Sequence, residues 1–92
     1  MPQVVITLTA PNGVTGFGKV RRETGKYGVP HAMPGQISAP FTPGAHRFSW
    51  QLAGPPGEVA VSVFQGATEL AADTDSIGAD GTTNGYVKFT VV

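Results

Sequence analysis

Polar and apolar residues alternate without interruption in the segment AHRFSWQL, which spans residues 45–52. One side of an extended chain would carry His46, Phe48, Trp50 and Leu52. The other side would carry Arg47, Ser49 and Gln51. Because successive side chains of a β-strand point to opposite faces of a sheet, this two-residue period predicts a strand with one buried face.

Three further segments show the same period: VVITLT at 4–9, EVAVSVFQ at 58–65 and YVKFTVV at 86–92. In the last of these we expect Val87, Phe89 and Val91 to face inward. Residues 65–68 are predicted to turn the chain into another strand at 69–72, and Pro11-Asn12-Gly13 to end the first strand. Thirteen glycines and eight prolines separate the strands, and together they reach nearly twice their usual share of about 12%.

No stretch of three helical turns carries apolar residues at helical spacing without a glycine or proline, so almost no helix is expected. We predict an all-β fold: a small antiparallel β-sandwich, immunoglobulin-like or jelly-roll-like, with about five to seven short strands in one domain over residues 1–92. The carboxy-terminal half resembles the bacterial immunoglobulin-like sandwiches in its tryptophan strand, its proline-glycine corner, its valine strand and the closing FTVV. Many small sandwiches share this pattern, and it identifies no family.

The segment 25–44 differs from the rest, because it holds four glycines and four prolines in twenty residues. We expect an irregular loop in which only 36–39 has the composition of a short strand. One interpretation is a solvated crossover between the sheets. The other is an arm that orders against a partner, anchored by Met33, Ile37 and Phe41.

Three of the six carboxylates lie in DTDSIGADG, at residues 73–81. An EF-hand loop beginning at Asp73 would place Ile77 and Asn84 at positions that must supply metal ligands, so the spacing excludes an EF-hand. A looser calcium site remains one interpretation of this stretch. Its ligands would be Asp73, Asp75 and Asp80.

The same stretch also fits a turn between two strands. Asp80-Gly81 and Asn84-Gly85 are both typical two-residue turn sequences. Aspartate side chains stabilise turns by accepting hydrogen bonds from nearby backbone N–H groups. This interpretation requires no bound ion.

Four of the six basic residues lie in KVRRETGK at 19–26, and an aromatic residue follows directly. On a strand, this cluster would form either a solvated edge or a contact surface for an acidic partner. Nucleic-acid contact is not expected, because the formal net charge is zero and nucleic-acid-binding domains are usually basic. The predicted interaction residues are Lys19, Arg21, Arg22, Lys26, Tyr27 and Phe41.

The charge is distributed unevenly along the chain. Residues 1–46 carry four basic and one acidic side chain, a net +3, and residues 47–92 carry a net −3. If the fold keeps the two signs on different surfaces, two copies can meet with the basic face of one on the acidic face of the other. Such a heterologous contact closes into a ring or continues as a filament.

The sequence lacks the residues that several classes of catalytic site require. The absence of cysteine excludes thiolate metal sites and cysteine nucleophiles, and no G-x-S-x-G sequence marks a serine nucleophile. Gly16-x-Gly18 is not followed by a predicted helix, which the dinucleotide fingerprint requires. His46 is expected to be a partly buried, hydrogen-bonded group, and so short a domain has little room for an enclosed active site. The chain is therefore not expected to be an enzyme.

Aromatic residues on the outer faces of a sandwich serve either protein contacts or sugar stacking. The first functional expectation is a non-enzymatic structural or interaction module that self-associates or decorates a larger assembly, such as a phage virion or an injection apparatus. The second is a carbohydrate-binding, lectin-like module. Its stacking residues would be Tyr27, Phe64 and Tyr86.

The amino-terminal stretch MPQVVITLTAPNG has neither the basic start nor the long apolar run of a signal peptide, and no apolar run is long enough to span a bilayer. A cytoplasmic or virion location without membrane contact is expected. The expected partners are a second copy, a larger assembly or a glycan, and no cofactor is expected besides the calcium ion of the alternative site.

Overall fold

The computed structural model describes residues 1–22 and 28–92, which form two antiparallel four-stranded sheets packed together. The strands are β1 (Gln3–Thr9), β2 (Thr15–Arg22), β3 (His31–Met33), β4 (Gly35–Pro40), β5 (Gly44–Ala53), β6 (Gly57–Gln65), β7 (Thr68–Ile77) and β8 (Thr82–Val91). The first sheet has the order β4-β1-β6-β7, and the second has the order β3-β2-β5-β8. The predicted β-sandwich is confirmed, with eight strands instead of five to seven. Nothing in the two described ranges is a helix long and apolar enough to cross a membrane.

The core lies between the sheets and is built from alternate positions of the central strands. It receives Val4, Ile6 and Leu8 from β1, Phe48, Trp50 and Leu52 from β5, and Val59, Val61 and Val63 from β6, all at most 3% exposed. Phe89 and Val91 of β8 are also buried, and Val87 is half-buried against the core. The inward faces predicted from the alternation are therefore confirmed. Each large apolar side chain buried in this way stabilises the fold by about 1.5–3 kcal/mol.

The prediction of an irregular loop at 25–44 is wrong at 31–33, which forms β3, whereas the short strand expected within it at 36–39 is confirmed as β4. Both are edge strands, where proline is tolerated because one side of the backbone has no ladder to complete. Met33, Ile37 and Phe41 are buried in the protein's own core, so they are not anchors for a partner. The part of the predicted loop at 25–27 lies outside the described residues.

His46 occupies the inner face of β5, as its place in the alternation predicts. It is 4% exposed, and its Nε2 donates a hydrogen bond to the Thr42 carbonyl oxygen at 2.7 Å. Its ring stacks on Phe89, with centroids 5.6 Å apart, and meets the edge of Phe41. The predicted hydrogen bonding of His46 is confirmed, and its burial is more complete than the partial burial expected.

The two turns predicted after residue 73 have different outcomes. The backbone N–H of Gly81 bonds to the Gly78 carbonyl at 3.0 Å, so the Asp80-Gly81 turn is confirmed as the link from β7 to β8. Asn84-Gly85 is not a turn, because both residues lie inside β8. Gly85 sits opposite Trp50, and a Cβ placed there would be 2.8 Å from the indole ring. The glycine is needed for this close approach, and not for a reversal of the chain.

Candidate binding face

The outer face of the sheet β3-β2-β5-β8 carries a grid of polar, basic and aromatic residues. The strand register aligns them in three rows across β2, β5 and β8. The first row is Arg21, Arg47 and Lys88; the second is Lys19, Ser49 and Tyr86; the third is Phe17, Gln51 and Asn84. We call these nine residues the basic face. With neighbouring strands about 4.8 Å apart, each row spans about 10 Å of backbone.

Positive and negative side chains lie on different outer faces of the sandwich, although the two halves of the chain do not form separate surfaces. Each sheet combines strands from both halves, so the +3 and −3 of the sequence do not form two separate surfaces. Four of the six basic residues nevertheless lie on the basic face. The described residues with outward positions there include no acidic side chain.

The opposite surface of the sandwich has the opposite sign. The outward positions of the sheet β4-β1-β6-β7 include two exposed carboxylates, Glu58 and Glu69, which follow from the register of β6 with β7. Among the described residues, no basic side chain shares these outward positions. We call this surface, defined by Glu58 and Glu69, the acidic face.

A groove of about 510 Å³ runs across part of the basic face. Its floor is the central strand, with the small or polar side chains of Ser49 and Gln51, and its walls are β2 and β8. Phe17 stands on one wall and is 36% exposed, while Tyr86 stands on the other and is 53% exposed. Asn84 adds an amide to the second wall. The groove therefore offers two aromatic rings and several neutral hydrogen-bonding groups.

Cations approach both aromatic rings of the groove. The Lys19 ammonium lies 5.5 Å from the centroid of the Phe17 ring, and the Arg47 guanidinium lies 4.4 Å from the centroid of the Tyr86 ring. Such cation–π contacts contribute about 0.5–1 kcal/mol each at exposed sites. The Arg47 contact connects the first row of the grid with the groove.

The residues predicted from sequence are only partly brought together. Lys19 and Arg21 lie on the basic face. Arg22 pairs with the buried His46, so its side chain does not share the outward orientation of Lys19 and Arg21 on β2. The prediction of Phe41 as an interaction residue is wrong, because Phe41 is buried in the core with only 8% of its surface exposed. Lys26 and Tyr27 lie outside the described residues.

The predicted stacking residues do not form one platform. Phe64 pairs with Val5 of β1 and with Glu69 of β7, so it faces outward from the other sheet, on the opposite side of the sandwich from Tyr86. Phe17 is the aromatic that shares the groove with Tyr86. Arg47, Lys88, Ser49, Gln51 and Asn84 were not predicted as site residues. Their outward positions follow from the alternation, but only the strand register shows that they are neighbours.

Asp75 connects the two sheets at the side of the sandwich formed by β7 and β8. Its Oδ2 accepts hydrogen bonds from Trp50 Nε1 at 3.0 Å and from the Thr83 hydroxyl at 2.7 Å. Its Oδ1 accepts one from the backbone N–H of Ser76 at 2.8 Å. Burial by itself would raise the pKa of Asp75, but the hydrogen bonds from Thr83, Trp50 and Ser76 outweigh it and hold the pKa below its usual value.

These contacts bear on the predicted calcium site. Both oxygens of Asp75 already accept hydrogen bonds, and Oδ1 of Asp73 accepts one from the backbone N–H of Thr74 at 2.8 Å. Within residues 1–22 and 28–92, no group of three carboxylate, histidine or cysteine side chains is placed to hold a metal ion. The contacts therefore favour a structural role for Asp75, and calcium binding stays a prediction without support.

Replacing Asp75 with alanine should lower the free energy of unfolding at neutral pH by about 1–3 kcal/mol, because it removes the acceptor of the Trp50 and Thr83 hydrogen bonds. The lowered pKa makes the carboxylate stabilising above the unfolded-state pKa of about 3.9, and this stabilisation disappears as the pH falls through the folded-state pKa. The difference in the free energy of unfolding between wild type and Asp75→Ala should therefore become smaller in acid. This difference can be measured by urea denaturation at about pH 7 and at about pH 3, with circular dichroism as the signal.

Asp73→Ala is the matched control, since Asp73 is exposed and accepts a hydrogen bond from the next residue in its own strand. It should change the stability by at most about 0.5 kcal/mol. A gap between wild type and Asp75→Ala that keeps its size on acidification would contradict the assigned role of the carboxylate.

No protein-family model, no curated protein and no solved structure matches this chain. Its class therefore rests on its own geometry, which is that of a β-sandwich with a basic, aromatic groove on one outer face and carboxylates on the other.

Proposed function

We propose that the protein is a non-enzymatic interaction module that binds through its basic face. The observation that supports this proposal is the separation of charge between the two outer faces, with four basic side chains on the basic face and Glu58 and Glu69 on the acidic face. A face with charges of one sign attracts a partner surface of the opposite sign and orients it.

The first partner is a second copy of the same chain. The basic face of one copy matches the acidic face of another in sign, and the two faces lie on opposite sides of each sandwich. Contacts of this heterologous type leave a basic face open at one end and an acidic face open at the other, so they form a ring or a filament. A repeated module of a larger assembly, such as a virion or an injection apparatus, would use this geometry.

Self-association should be salt-dependent, because it joins exposed charges that are screened beyond about 8 Å at physiological ionic strength. Native mass spectrometry and light scattering over a range of protein and salt concentrations should show oligomers that dissociate as salt rises. Arg47→Glu should weaken the association by at least about tenfold, since it places a carboxylate in the contact and removes a cation. Combining it with Glu69→Arg should partly restore the association.

Arg22→Glu is the matched control, because it makes the same charge change on β2 outside the basic face. It should leave the oligomer distribution nearly unchanged. Circular dichroism of each variant would show that the fold is retained. A monomer at every concentration and at low salt would refute self-association, and so would equal effects of Arg47→Glu and Arg22→Glu.

The second candidate function is carbohydrate binding, which is favoured by the groove between Phe17 and Tyr86. Sugar sites combine an aromatic surface with converging polar groups, and Ser49, Gln51 and Asn84 supply these here. Tyr86→Ala should abolish binding to immobilised glycans, whereas Phe64→Ala on the opposite side of the sandwich should not. Equal binding by wild type and Tyr86→Ala would contradict this function.

A further inference from the structure

The groove on the basic face runs parallel to the central strand of its sheet. The floor is β5, which contributes Ser49 and Gln51, and the walls are β2 and β8. Because neighbouring strands are about 4.8 Å apart, the backbones of the two walls are about 10 Å apart. This width suits a ligand that is one sugar ring wide and lies along β5.

The two aromatic side chains of the groove stand on opposite walls and at different positions along it. Tyr86 is in register with Ser49, and Phe17 is in register with Gln51, two residues further along β5. A strand rises about 3.4 Å per residue, so the two aromatic positions are offset by about 7 Å along the groove. This offset is longer than one sugar ring. A ligand that stacks on both side chains must therefore contain at least two rings joined in a line.

Both aromatic rings have a contact with a cation of the chain. The Arg47 guanidinium reaches the Tyr86 ring from outside the groove, since Arg47 is not one of the residues that line it. The Lys19 ammonium approaches Phe17 from within the groove, at the longer distance of 5.5 Å. Tyr86 remains 53% exposed. A ring that is oriented before a ligand arrives loses less conformational freedom on stacking, which favours binding.

The hydrogen-bonding groups that the groove leaves for a ligand are neutral. Gln51 and Asn84 are exposed, and Ser49 is half-buried. In the described part of the chain, no protein group hydrogen-bonds to these three side chains. Hydroxyl and amide groups both donate and accept hydrogen bonds, as sugar hydroxyls do. The cations of the basic face, in contrast, all have contacts within the chain, so the groove does not favour a polyanion.

We propose that the groove binds a neutral, extended oligosaccharide along β5, with successive sugar rings against Tyr86 and Phe17 and with sugar hydroxyls on Ser49, Gln51 and Asn84. The inference rests on the second candidate function, and it names the charge, the shape and the minimum length of the ligand. Cello-, xylo- and manno-oligosaccharides have this shape, because their linkages keep successive rings in a nearly straight line. Malto-oligosaccharides coil, so their successive rings cannot follow a straight groove between two walls.

Isothermal titration calorimetry of the full chain tests this with three extended probes, which are cellohexaose, xylohexaose and mannohexaose. The control ligands are the corresponding monosaccharides, the coiled maltohexaose and the anionic oligogalacturonate. At least one extended probe should bind at least about tenfold more tightly than its monosaccharide, maltohexaose and oligogalacturonate.

Replacing either aromatic residue should remove the advantage of length, because only one wall then contacts the ligand through a ring. Tyr86→Ala and Phe17→Ala should each weaken the binding of the extended probe by about tenfold. In both variants the affinity for the extended probe should fall to within about threefold of the affinity for its monosaccharide. Gln51→Ala should weaken the binding of the extended probe by about fivefold, the loss expected for one hydrogen bond.

Two matched control variants carry the same changes on the other sheet. Phe64→Ala removes a partly exposed aromatic ring, and Gln36→Ala removes an exposed amide. Both should bind the extended probe within about twofold of wild type. Every parent residue in these tests is at least partly exposed, and circular dichroism would exclude misfolding as the cause of a loss.

The outcomes separate this inference from the function on which it rests. Binding of maltohexaose or oligogalacturonate that is as tight as that of every extended probe would overturn the neutral, extended ligand and leave carbohydrate binding intact. Equal affinity for the extended probes and their monosaccharides would overturn the contact with two rings in the same way. Failure of every glycan would overturn both the inference and the second candidate function, without touching self-association.

Discussion

Replacing Phe48 with alanine should lower the free energy of unfolding by about 3–5 kcal/mol. Phe48 is fully buried, and among the described residues it is the largest fully buried side chain. It lies between Val20 of β2 and Val87 of β8 in the register of its sheet. Small domains are stable by only about 5–15 kcal/mol, so this one change would bring the protein close to its unfolding limit.

The size of the loss depends on whether neighbouring groups can fill the cavity. On one side the ring packs against Gly18, where a Cβ would lie only 2.5 Å from the ring. That glycine has no side chain that could move into the space, so little relaxation is expected and the cost should be near the upper end of the range.

Urea denaturation followed by the fluorescence of Trp50, the single tryptophan, measures this loss. Phe17→Ala is the matched control, because it makes the same change at a partly exposed position on the basic face. It should cost at most about 1 kcal/mol. Equal denaturation midpoints for the two variants would show that the structure misplaces the core.

Gly16→Ala should lower the free energy of unfolding by about 3 kcal/mol or more, although it adds only one methyl group. A Cβ at Gly16 would collide with the Gln51 carbonyl oxygen and would lie 2.9 Å from the Leu52 Cα. Both are backbone atoms of β5, so no side chain can rotate away to make room. The collision can be relieved only by moving β2 away from β5, which disturbs the ladder that aligns the basic face.

Thermal denaturation followed by circular dichroism measures the effect of Gly16→Ala. A loss of about 3 kcal/mol in a domain of this size corresponds to a fall in Tm of roughly 12–24 °C. Gly78→Ala is the matched control, since a Cβ there has only Asp80 Oδ1 nearby, at an ordinary 3.6 Å. It should move Tm by no more than a few degrees, and a similar shift for both variants would contradict the close approach of β2 and β5.

The local pattern of the sequence was sufficient for the central strands and their faces. In the middle of β1, β5 and β6 every second position is buried, and all of these buried positions are apolar except His46. The same pattern indicated β4 only as a short strand at 36–39 and did not indicate β3, because the surrounding prolines and glycines are typical of loops. These two strands exist because they pair with β2 and β1 at the sheet edges, and such pairing is a property of the tertiary fold.

For a related reason, the interpretation of the acidic stretch as a turn is wrong at Asp73 and Asp75, while the calcium site stays a prediction. Asp73 and Asp75 were interpreted as turn residues or metal ligands, but both lie in β7. Asp75 points toward Trp50 and Thr83 of the other sheet, which are distant in sequence from each other. A carboxylate in an edge strand also discourages pairing with a second sheet edge, and the sequence has no local signal for either role.

Alternation in the chain by itself determined that this protein is a β-sandwich, and which side chains of its main strands face the core or the solvent, because side-chain direction on a strand depends only on position. Only the tertiary structure decided that Arg21, Arg47 and Lys88 form one row beside a groove between Phe17 and Tyr86. Neighbours across strands are set by strand order and register, and these depend on how the whole set of inward faces packs into a common core.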